Sequence, residues 1–510
     1  VQTCALPISK HSFAEDFWPK NFKGIRAANN FLKYARESVV KNTEMEGDDN
    51  RLYDRYMAEA RLLRAIFHFD QASWFGDIPI VGEDENGEPI IFEYTNPEQM
   101  NMARTNCADA LKWIADECDK IKDVLPFRYA QEELNWGRVN GAAAYALKAR
   151  ALLYRASPLH NPNNDASLWR EAATAATDFI TKNRTQSNPY RLYTTADNDT
   201  DKNYYECFVS TPHLNNEYIL SRSEWQTREI ELFLAPCGFS GSVNSTGRTN
   251  PTQNLVDSYE TKNGLPIDKD PSYDPQNPYA NRDPRLEQTI LHHGSIWGDA
   301  KQDEEREVDV TYGSGKDYHE LHGGTLTGYY TKKFLNNMSF KSPTTYTHAC
   351  PIFRYAEVLL GYVEAMNEME GSYTDEDGQV TVTRDVDQMV KYFNQIRYRA
   401  GQPGITTADA ADQSRMRELI KHERLIEFAF ESHRYWDLRR WKDAYDAYNK
   451  PIRGLDVSAR ESQREQFYTE RIWNTEKTMK RMFSNKMYLW PLDRNVLRKN
   501  GKLVQNPGWN

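Results

Sequence analysis

Hydrophobic positions in the first third of the chain recur at the spacing of helices that bury one side. Between Tyr53 and Phe75, the residues that follow this i, i+3, i+4 spacing are Leu62, Ala65, Ile66, Phe69 and Ala72. The sequence Gly-Asp-Ile-Pro at 76–79 predicts the end of the helix. Glycine tolerates a left-handed cap, and proline prevents the helix from continuing.

Two more helices follow with small residues on their faces. Asn140 is predicted to cap the first, whose buried face consists of Ala143, Leu147, Ala151 and Tyr154. Pro158 and a Pro/Asn-rich turn at 161–164 end it, and an alanine-rich helix from Leu168 to Ile180 comes next. Helices with small-residue faces and short turns resemble tetratricopeptide (TPR) hairpins, although no clean consensus repeat is present.

The pattern then changes twice. Residues 185–345 are rich in Gly, Pro, Asn, Ser and Tyr and lack sustained periodicity, which predicts long loops with short strands. Helical spacing returns at Phe353–Met369, Val386–Ala400 and, most strongly, Arg415–Ala444. We therefore predict a mainly α fold: a TPR-like scaffold of helical hairpins with a long irregular, loop-rich region and short strands.

Three regions follow from this pattern. Residues 1–184 form an N-terminal TPR-type helical region, residues 185–345 a loop-rich, ligand-binding insertion, and residues 346–510 a C-terminal helical region with a tail.

Composition narrows the class of function. Hydrophobic residues make up 39%, charged residues 27%, and the net charge is -10, with Lys and Arg dispersed along the chain. A nucleic-acid binder would be expected to cluster its basic residues, so DNA and RNA are excluded as partners. The sequence contains no stretch of about 18 uninterrupted apolar residues, the length needed for a membrane-spanning helix. The six cysteines lie far apart and form no CxxC pair, which argues against a zinc site and leaves their redox state open.

The strongest local pattern is the charged and aromatic stretch from Lys421 to Trp441. Glu423, Glu427 and Glu431 fall on one helical stripe, and several arginines offer bidentate pairing. We expect ion pairs that hold a semi-buried helix in place rather than a catalytic centre. No catalytic residue is assigned.

No cofactor or metal is predicted. Ile426 stands where an HExxH zinc motif starting at His422 needs its second histidine. A structural calcium at Asp197–Asp201 lacks support, because Lys202 replaces the turn glycine of a calcium loop. The pair His292-His293 has no further ligand nearby at metal-binding spacing and is interpreted as loop histidines.

Four aromatic residues of the irregular middle region are the binding-site candidates. Trp225, Trp297, Tyr312 and Tyr318 stand among Gly, Ser, Asn and Asp rather than in apolar runs. Flat amphipathic rings in polar loops are suited to stack against the apolar C–H faces of sugars, while polar neighbours bind the hydroxyl groups.

Segments along nearly the whole chain resemble the SusD/RagB family of nutrient-uptake proteins, in the family's order. They are Asn21–Phe31, Ala58–Ala65, Gly76–Pro79, Gly141–Arg150, Asn281–Arg285, Arg354–Leu360, Asn394–Arg397, Glu423–Trp441, Leu489–Leu492 and Gln505–Trp509. This resemblance implies a SusD-like α-α superhelix and a non-catalytic, lipid-anchored protein on the extracellular face of the outer membrane. It also implies that the protein captures oligosaccharides and delivers them to a SusC-like TonB-dependent transporter.

The start of the chain differs from the family pattern. Val1–Pro7 contains no basic n-region and no apolar h-region before Cys4, so we expect the native start and the lipid anchor to lie upstream. Two alternatives stay open: a TPR-type scaffold that binds peptides, and a glycoside hydrolase, which would need two carboxylates facing a sugar cleft. The sequence does not identify the glycan or the surface that meets the transporter.

Overall fold

The computed structural model describes residues 13–37, 52–92, 101–222, 225–313, 315–318, 324–369, 371–374, 381–458, 461–472 and 481–509. Val1–Pro7, with Cys4, for which the sequence predicts no signal peptide, lies outside these residues. Within the described ranges, none of the helices combines the length and the apolar character needed to cross a bilayer.

Helices dominate both ends of the chain. The helices of the first region are α1 Phe13–Tyr34, α2 Leu52–Phe75, α3 Cys107–Ile121, α4 Glu132–Asn135, α5 Gly141–Ala156 and α6 Ala166–Arg184. Those of the middle are short: α7 Asn203–Val209, α8 Glu229–Leu234, α9 Gln253–Ser258 and α10 Arg285–Thr289. The last set is α11 Tyr355–Glu368, α12 Val386–Arg399, α13 Thr407–Ala411, α14 Gln413–Glu427, α15 His433–Arg440, α16 Ala444–Asn449, α17 Arg464–Phe467 and α18 Arg494–Lys499.

Strands are short and form two-stranded antiparallel pairs. They are β1 Tyr218–Ser221, β2 Trp225–Thr227, β3 Ile290–Leu291, β4 Ile296–Trp297, β5 Arg306–Glu307, β6 Tyr330–Thr331, β7 Tyr346–His348, β8 Pro351–Arg354, β9 Ser372–Thr374, β10 Thr381–Thr383, β11 Arg453–Leu455 and β12 Glu470–Ile472. The pairs are β1 with β8, β2 with β7, β3 with β6, β4 with β5, β9 with β10 and β11 with β12. Short 3₁₀ helices lie at Pro212–Leu214, Ala300–Gln302, Glu461–Gln463 and Asn485–Tyr488.

The long helices stack in chain order. Helix α1 packs on α2, α2 on α3, α3 on α5 and α5 on α6, and α6 then contacts α11 of the C-terminal region. The alanines of α5 and α6 are buried at these contacts, where their small side chains let the helix backbones approach closely. A second hydrophobic core, separate from that of the helical stack, lies under the loop-rich middle region.

The predicted helix ends are confirmed where a local capping residue determines them. Gly76 adopts a left-handed φ of +72° directly after α2. The Asn140 side chain accepts a hydrogen bond from the backbone N–H of Ala143 at 2.8 Å, as expected for an N-cap. Both ends are determined by residues that adjoin the helices in sequence.

The prediction of one helix from Arg415 to Ala444 is wrong. The chain forms α14, α15 and α16 instead, because Phe430 and Ser432 take left-handed φ values of +65° and +69°, and Lys442 takes +64°. A right-handed helix cannot contain such residues. The interruption after α14 directs Glu431 toward Arg354, where it forms a buried ion pair.

The C-terminal tail contains α18 and packs against the first helices. The Trp490 N–H donates to the Trp74 carbonyl at 2.9 Å, and the Asn506 amide donates to the Phe75 carbonyl at 2.9 Å. Arg104 donates to the Asn506 side-chain oxygen at 2.6 Å. The tail therefore ties the end of the chain to the C-terminus of α2.

Candidate functional site

A buried network of ion pairs connects the helical stack to the loop-rich region. The Arg354 guanidinium at the start of α11 contacts Glu217 at 2.6 Å, Glu427 at 2.8 Å and Glu431 at 2.7 Å. Arg399 of α12 pairs with the same Glu217 and Glu427. All five side chains are almost fully buried, so the ion-pairing role predicted for Glu427 and Glu431 is confirmed.

Lys333, which lies in the loop-rich region, also belongs to this network. Its ammonium donates to the Tyr204 hydroxyl at 2.7 Å, to the Ala429 carbonyl at 2.8 Å and to Glu431 at 2.8 Å. Burial lowers the pKa of Lys333 to about 8. Burial alone would raise the pKa of Glu431, but Arg354 and Lys333 hold it at about 2. The loops are thus held on the helices by buried charges.

A second set of ion pairs fixes the segment before β3. Arg285 contacts Asp283 at 2.8 Å, Glu423 at 2.5 Å and Glu427 at 3.1 Å, and Arg397 contacts Glu423 at 3.2 Å. Burial opposes the charge of Arg285, but Asp283 and Glu423 raise its pKa well above the ordinary value. These ion pairs hold the segment before β3 against helices α12 and α14.

The structure corrects the expectation that the four candidate aromatics lie open. Trp297 is only 4% exposed and Tyr318 only 5%, whereas Tyr312 is 37% exposed. Trp225 begins β2 and pairs through its backbone with His348, and its side chain lies outside the described part of the chain. Of the three described side chains, Tyr312 alone offers a ring to solvent. The role of the four residues in binding stays a prediction.

Trp297, Tyr312 and Tyr318 are connected through contacts of Arg306 and Asp317. Trp297 is the cross-strand partner of Arg306 in the β4–β5 hairpin. Arg306 forms a bidentate pair with Asp317 at 2.6 and 2.9 Å, directly before Tyr318. The Tyr318 ring then meets that of Tyr312 edge to face, with centroids 5.4 Å apart. The buried Tyr318 ring therefore packs against the exposed Tyr312 ring.

The loop that carries Tyr312 is held by short-range hydrogen bonds. The Thr311 hydroxyl and backbone N–H donate to Asp309 at 2.6 and 3.0 Å, and the Asp309 N–H donates to Asp317 at 3.0 Å. The Asp317 N–H in turn donates to the Asp309 carbonyl at 2.8 Å. A ring on such a loop is partly ordered before a ligand arrives, which reduces the entropy lost on binding.

The sequence reasoning missed Phe233 of α8. Its ring is 38% exposed, and the Arg248 guanidinium lies 4.4 Å from the ring centroid. The backbone N–H of Arg248 donates to the Phe233 carbonyl at 2.7 Å, which holds the two residues together. Phe233 stands in an apolar run with Leu232 and Leu234, so its sequence context indicates burial. Only the arrangement of the loops in space reveals its exposure.

Segment 233–239 connects the two exposed rings. The Gly238 N–H donates to Asp317 at 3.1 Å, and the Arg306 guanidinium lies 4.0 Å from the Phe239 ring. Burial raises the pKa of Cys237, whose thiol lies 3.6 Å from the Tyr318 carbonyl. Buried contacts of this segment thus link the part of the loop-rich region that contains Phe233 to the residues beneath Tyr312.

The candidate metal ligands from the sequence have other partners. His292 contacts Glu287 at 2.6 Å and stacks on Tyr279 with centroids 3.6 Å apart. In the acidic loop, Asp199 pairs with Lys202 at 2.8 Å. Among the residues that the structure describes, no group of three or more His, Cys, Asp or Glu side chains is arranged to hold a metal ion.

Comparison with known families gives matches over nearly the whole chain. The family model described as "SusD family" matches residues 167–509, which is well over half of the chain. A model described as "Starch-binding associating with outer membrane" matches residues 8–153. No curated protein matches the sequence.

Solved structures share the fold, and the prediction of a mainly α, TPR-like architecture is confirmed. A SusD-like protein from Bacteroides fragilis is 23% identical with a TM-score of 0.71, over 97% of this chain and 86% of that one. A SusD-like carbohydrate-binding protein from the same species is 25% identical with a TM-score of 0.68, over 96% and 86%. Surface glycan-binding protein A from Bacteroides uniformis is 18% identical with a TM-score of 0.56, over 96% and 84%.

Proposed function

Because this chain belongs to the SusD/RagB family, we propose that it captures oligosaccharides at the cell surface and passes them to a SusC-like TonB-dependent transporter without cleaving them. The match of the family model to residues 167–509 is the observation that carries this proposal. A relative of similar fold is described as a SusD-like carbohydrate-binding protein, which supports the choice of ligand.

The loop-rich surface supplies groups suited to sugars. Tyr312 and Phe233 present exposed rings, and the Arg248 guanidinium beside the Phe233 ring is a hydrogen-bond donor. Aromatic pair geometry contributes about 0.5–1.5 kcal/mol beyond burial, so two such rings predict weak binding of a single sugar unit. Repeated contacts along a polymer would add avidity, and weak binding suits a protein that must release its ligand.

The location and the partner extend the same proposal. We place the protein on the extracellular face of the outer membrane, held there by a lipid anchor upstream of the described residues. The family model that matches residues 8–153 is described as associating with the outer membrane, which supports this location. In this arrangement the protein would cover the entrance of the transporter and transfer glycans into it.

Affinity gels that contain single polysaccharides would test glycan binding. We expect retarded migration in at least one gel of a broad panel, and weaker retardation for Tyr312→Ala and Phe233→Ala. Tyr398→Ala is the matched control, because Tyr398 is 60% exposed but lies in α12 of the helical region. If no gel of the panel retards the wild-type protein, the proposal fails.

Catalysis and delivery need their own measurements. Incubation of the pure protein with the retained glycan should release no new reducing ends, and their appearance would favour the hydrolase alternative. Mild detergent extraction from the native membrane should recover the protein together with a TonB-dependent transporter. Recovery without such a transporter would contradict the delivery role while leaving glycan capture intact.

A further inference from the structure

Two open clefts meet at Lys442, away from the exposed rings of the loop-rich region. The first, of about 400 Å³, is lined among others by Pro158, Trp169, Arg417 and Trp441. The second, of about 470 Å³, is lined by Leu159, Tyr445, Lys486, Tyr488 and Asn506, among others. Lys442 lines both. Each cleft falls in the size range of sites for small ligands.

The backbone at this junction is held rigidly. Lys442 takes a left-handed φ of +64°, a conformation that is unfavourable for a residue with a Cβ atom. Its N–H donates to the Arg439 carbonyl at 2.9 Å, and the Tyr488 hydroxyl donates to its carbonyl at 2.6 Å. The Tyr488 oxygen also accepts from the Tyr445 N–H at 3.3 Å. Tyr488 therefore fixes Lys442 and Tyr445 relative to each other.

The carboxylates at the first cleft are already paired. Glu368 contacts Arg417 at 2.6 Å, and Lys421, which also lines the cleft, contacts the neighbouring Asp443 at 2.7 Å. Glu364, which also lines this cleft, accepts from Arg440 at 2.7 Å and from the Trp441 indole at 2.7 Å.

Two cations at the second cleft have no such partner. Among the described residues, neither Lys442 nor Lys486 forms an ion pair with a carboxylate, and the Lys486 ammonium lies 4.5 Å from the Trp509 ring centroid. Both lysines are exposed. The residues that line this cleft thus include two lysines and no carboxylate, on a chain whose net charge is -10.

An aromatic ring lies beside these cations. The Tyr445 side chain is 50% exposed, and it lines the same cleft as Lys442 and Lys486. Asn485, which is exposed, lines it as well. A flat ring, a side-chain amide and two ammonium groups together match a sugar ring that carries a carboxylate.

We propose that the clefts at Lys442 form a binding site for saccharides that contain uronic acids. Tyr445 stacks on the sugar ring, and the ammonium groups of Lys442 and Lys486 bind the carboxylate. This inference rests on the proposed function, and it adds a second binding surface and a chemical class of ligand. A neutral sugar could use Tyr445 but would gain nothing from the two lysines.

Calorimetric titration with trigalacturonate and with the neutral galactose trisaccharide would test the site. We expect the acidic trisaccharide to bind more tightly at low ionic strength, and added salt to weaken its binding selectively. The double variant Lys442→Gln/Lys486→Gln should bind trigalacturonate more weakly, by a factor of about five or more. Each exposed charge pair contributes a factor of up to about five to the affinity. Lys262→Gln/Lys301→Gln changes the net charge equally at exposed sites elsewhere and should bind as the wild type does.

Tyr445→Ala provides a second variant if the glutamine pair does not fold, as judged by circular dichroism. It should weaken both trisaccharides, because the ring serves either sugar. Equal binding of acidic and neutral trisaccharides, or unchanged binding by the folded Lys442→Gln/Lys486→Gln protein, would overturn the inference. Tighter binding of a polyglutamate peptide through the same lysines would also overturn it, in favour of a protein partner.

The result separates this inference from the proposed function. If neutral glycans bind in a manner that depends on Tyr312 while trigalacturonate does not bind, the site at Lys442 fails and glycan capture stands. If neither kind of glycan binds, both fail. If trigalacturonate binds and Lys442→Gln/Lys486→Gln abolishes the preference for it, both are supported.

Discussion

The Nε atom of Arg354 lies 2.7 Å from a carboxylate oxygen of Glu431, although the two residues are 77 positions apart in the chain. Arg354 begins the helical stack of the C-terminal half, and Glu431 lies in the link between α14 and α15. The same carboxylate accepts from Lys333 of the loop-rich region at 2.8 Å. One buried glutamate thus joins three separate parts of the chain.

Arg354→Met should therefore lower the free energy of unfolding strongly. The substitution removes the cation that Glu217, Glu427 and Glu431 share, and it leaves these carboxylates buried. Breaking a buried ion pair costs about 3–5 kcal/mol. Urea denaturation measures this loss. Lys182→Met is the matched control, because its pair with Asp123 is 39% and 53% exposed, and it should cost at most about 1 kcal/mol. Equal losses would contradict the importance assigned to the network.

The parts of the fold that were predictable depend on local sequence. Helix α2 and the Asn140 cap follow from apolar spacing and from a side chain that bonds three residues ahead. The break after α14 was not predictable, because Phe430 and Ser432 take left-handed conformations without a glycine to indicate them. Distant partners such as Arg354 stabilise that break, and local spacing carries no information about them.

The candidate site was less predictable for the same reason. Trp297 has polar neighbours in sequence, yet the β4–β5 hairpin folds its ring into the second core. Phe233 has apolar neighbours but is partly exposed beside Arg248. In loops, exposure depends on contacts between distant segments, so the polarity of adjacent residues is a weak guide. Tyr312 is the described residue for which the expected exposure was right.

The stability of the protein should fall in mild acid because of His68. Its Nδ1–H donates to the Arg64 carbonyl at 2.8 Å, and its Nε2 accepts from the Val81 N–H at 3.1 Å. Burial lowers the pKa of His68 to about 4, below the value of about 6.5 expected in the unfolded chain. The neutral ring is therefore favoured by folding, and its contribution is complete above pH 6.5 and declines as the pH falls toward 4.

Urea denaturation of the wild type and His68→Gln at a series of pH values checks this sign. Between pH 6.5 and 5 the wild type should lose about 1.5 kcal/mol more than the variant, because the loss approaches about 1.4 kcal/mol for each pH unit only below pH 6.5. Between pH 7 and 8 the difference between the two proteins should stay constant. A variant with the same acid-side slope as the wild type would contradict the assignment to His68.

Gly76→Ala should destabilise the contact between α2 and the C-terminal tail. Gly76 has φ +72°, and an added Cβ would lie 2.8 Å from Leu489 Cδ1. Gly87→Ala is the matched control, since Gly87 has φ +79° but an added Cβ meets nothing within 4 Å. Both variants lose free energy from the left-handed alanine, but Gly76→Ala should lose about 1 kcal/mol or more beyond the control. Equal thermal unfolding of the two variants would refute the steric contribution.

Substitutions of Trp297 and Tyr312 should distinguish effects on stability from effects on ligand binding. Trp297 is buried in the second core, so Trp297→Ala should lower the free energy of unfolding by about 3–5 kcal/mol. Tyr312 is partly exposed, and Tyr312→Ala should cost much less, about 1 kcal/mol or below. If Tyr312 stacks on glycans, its variant should nevertheless show the larger loss of retention on the gel.

The comparison requires that both variants be folded when binding is measured. Trp297→Phe retains an aromatic ring in the core and removes an indole N–H that has no hydrogen-bond partner among the described residues. It should therefore fold better than Trp297→Ala and retain the glycan like the wild type. If Trp297→Phe loses retention while it stays folded, and Tyr312→Ala does not, the buried ring rather than the exposed one contacts the sugar. That outcome would require the β4–β5 hairpin to open when the ligand binds, because in the closed hairpin the Trp297 ring is out of reach of a saccharide.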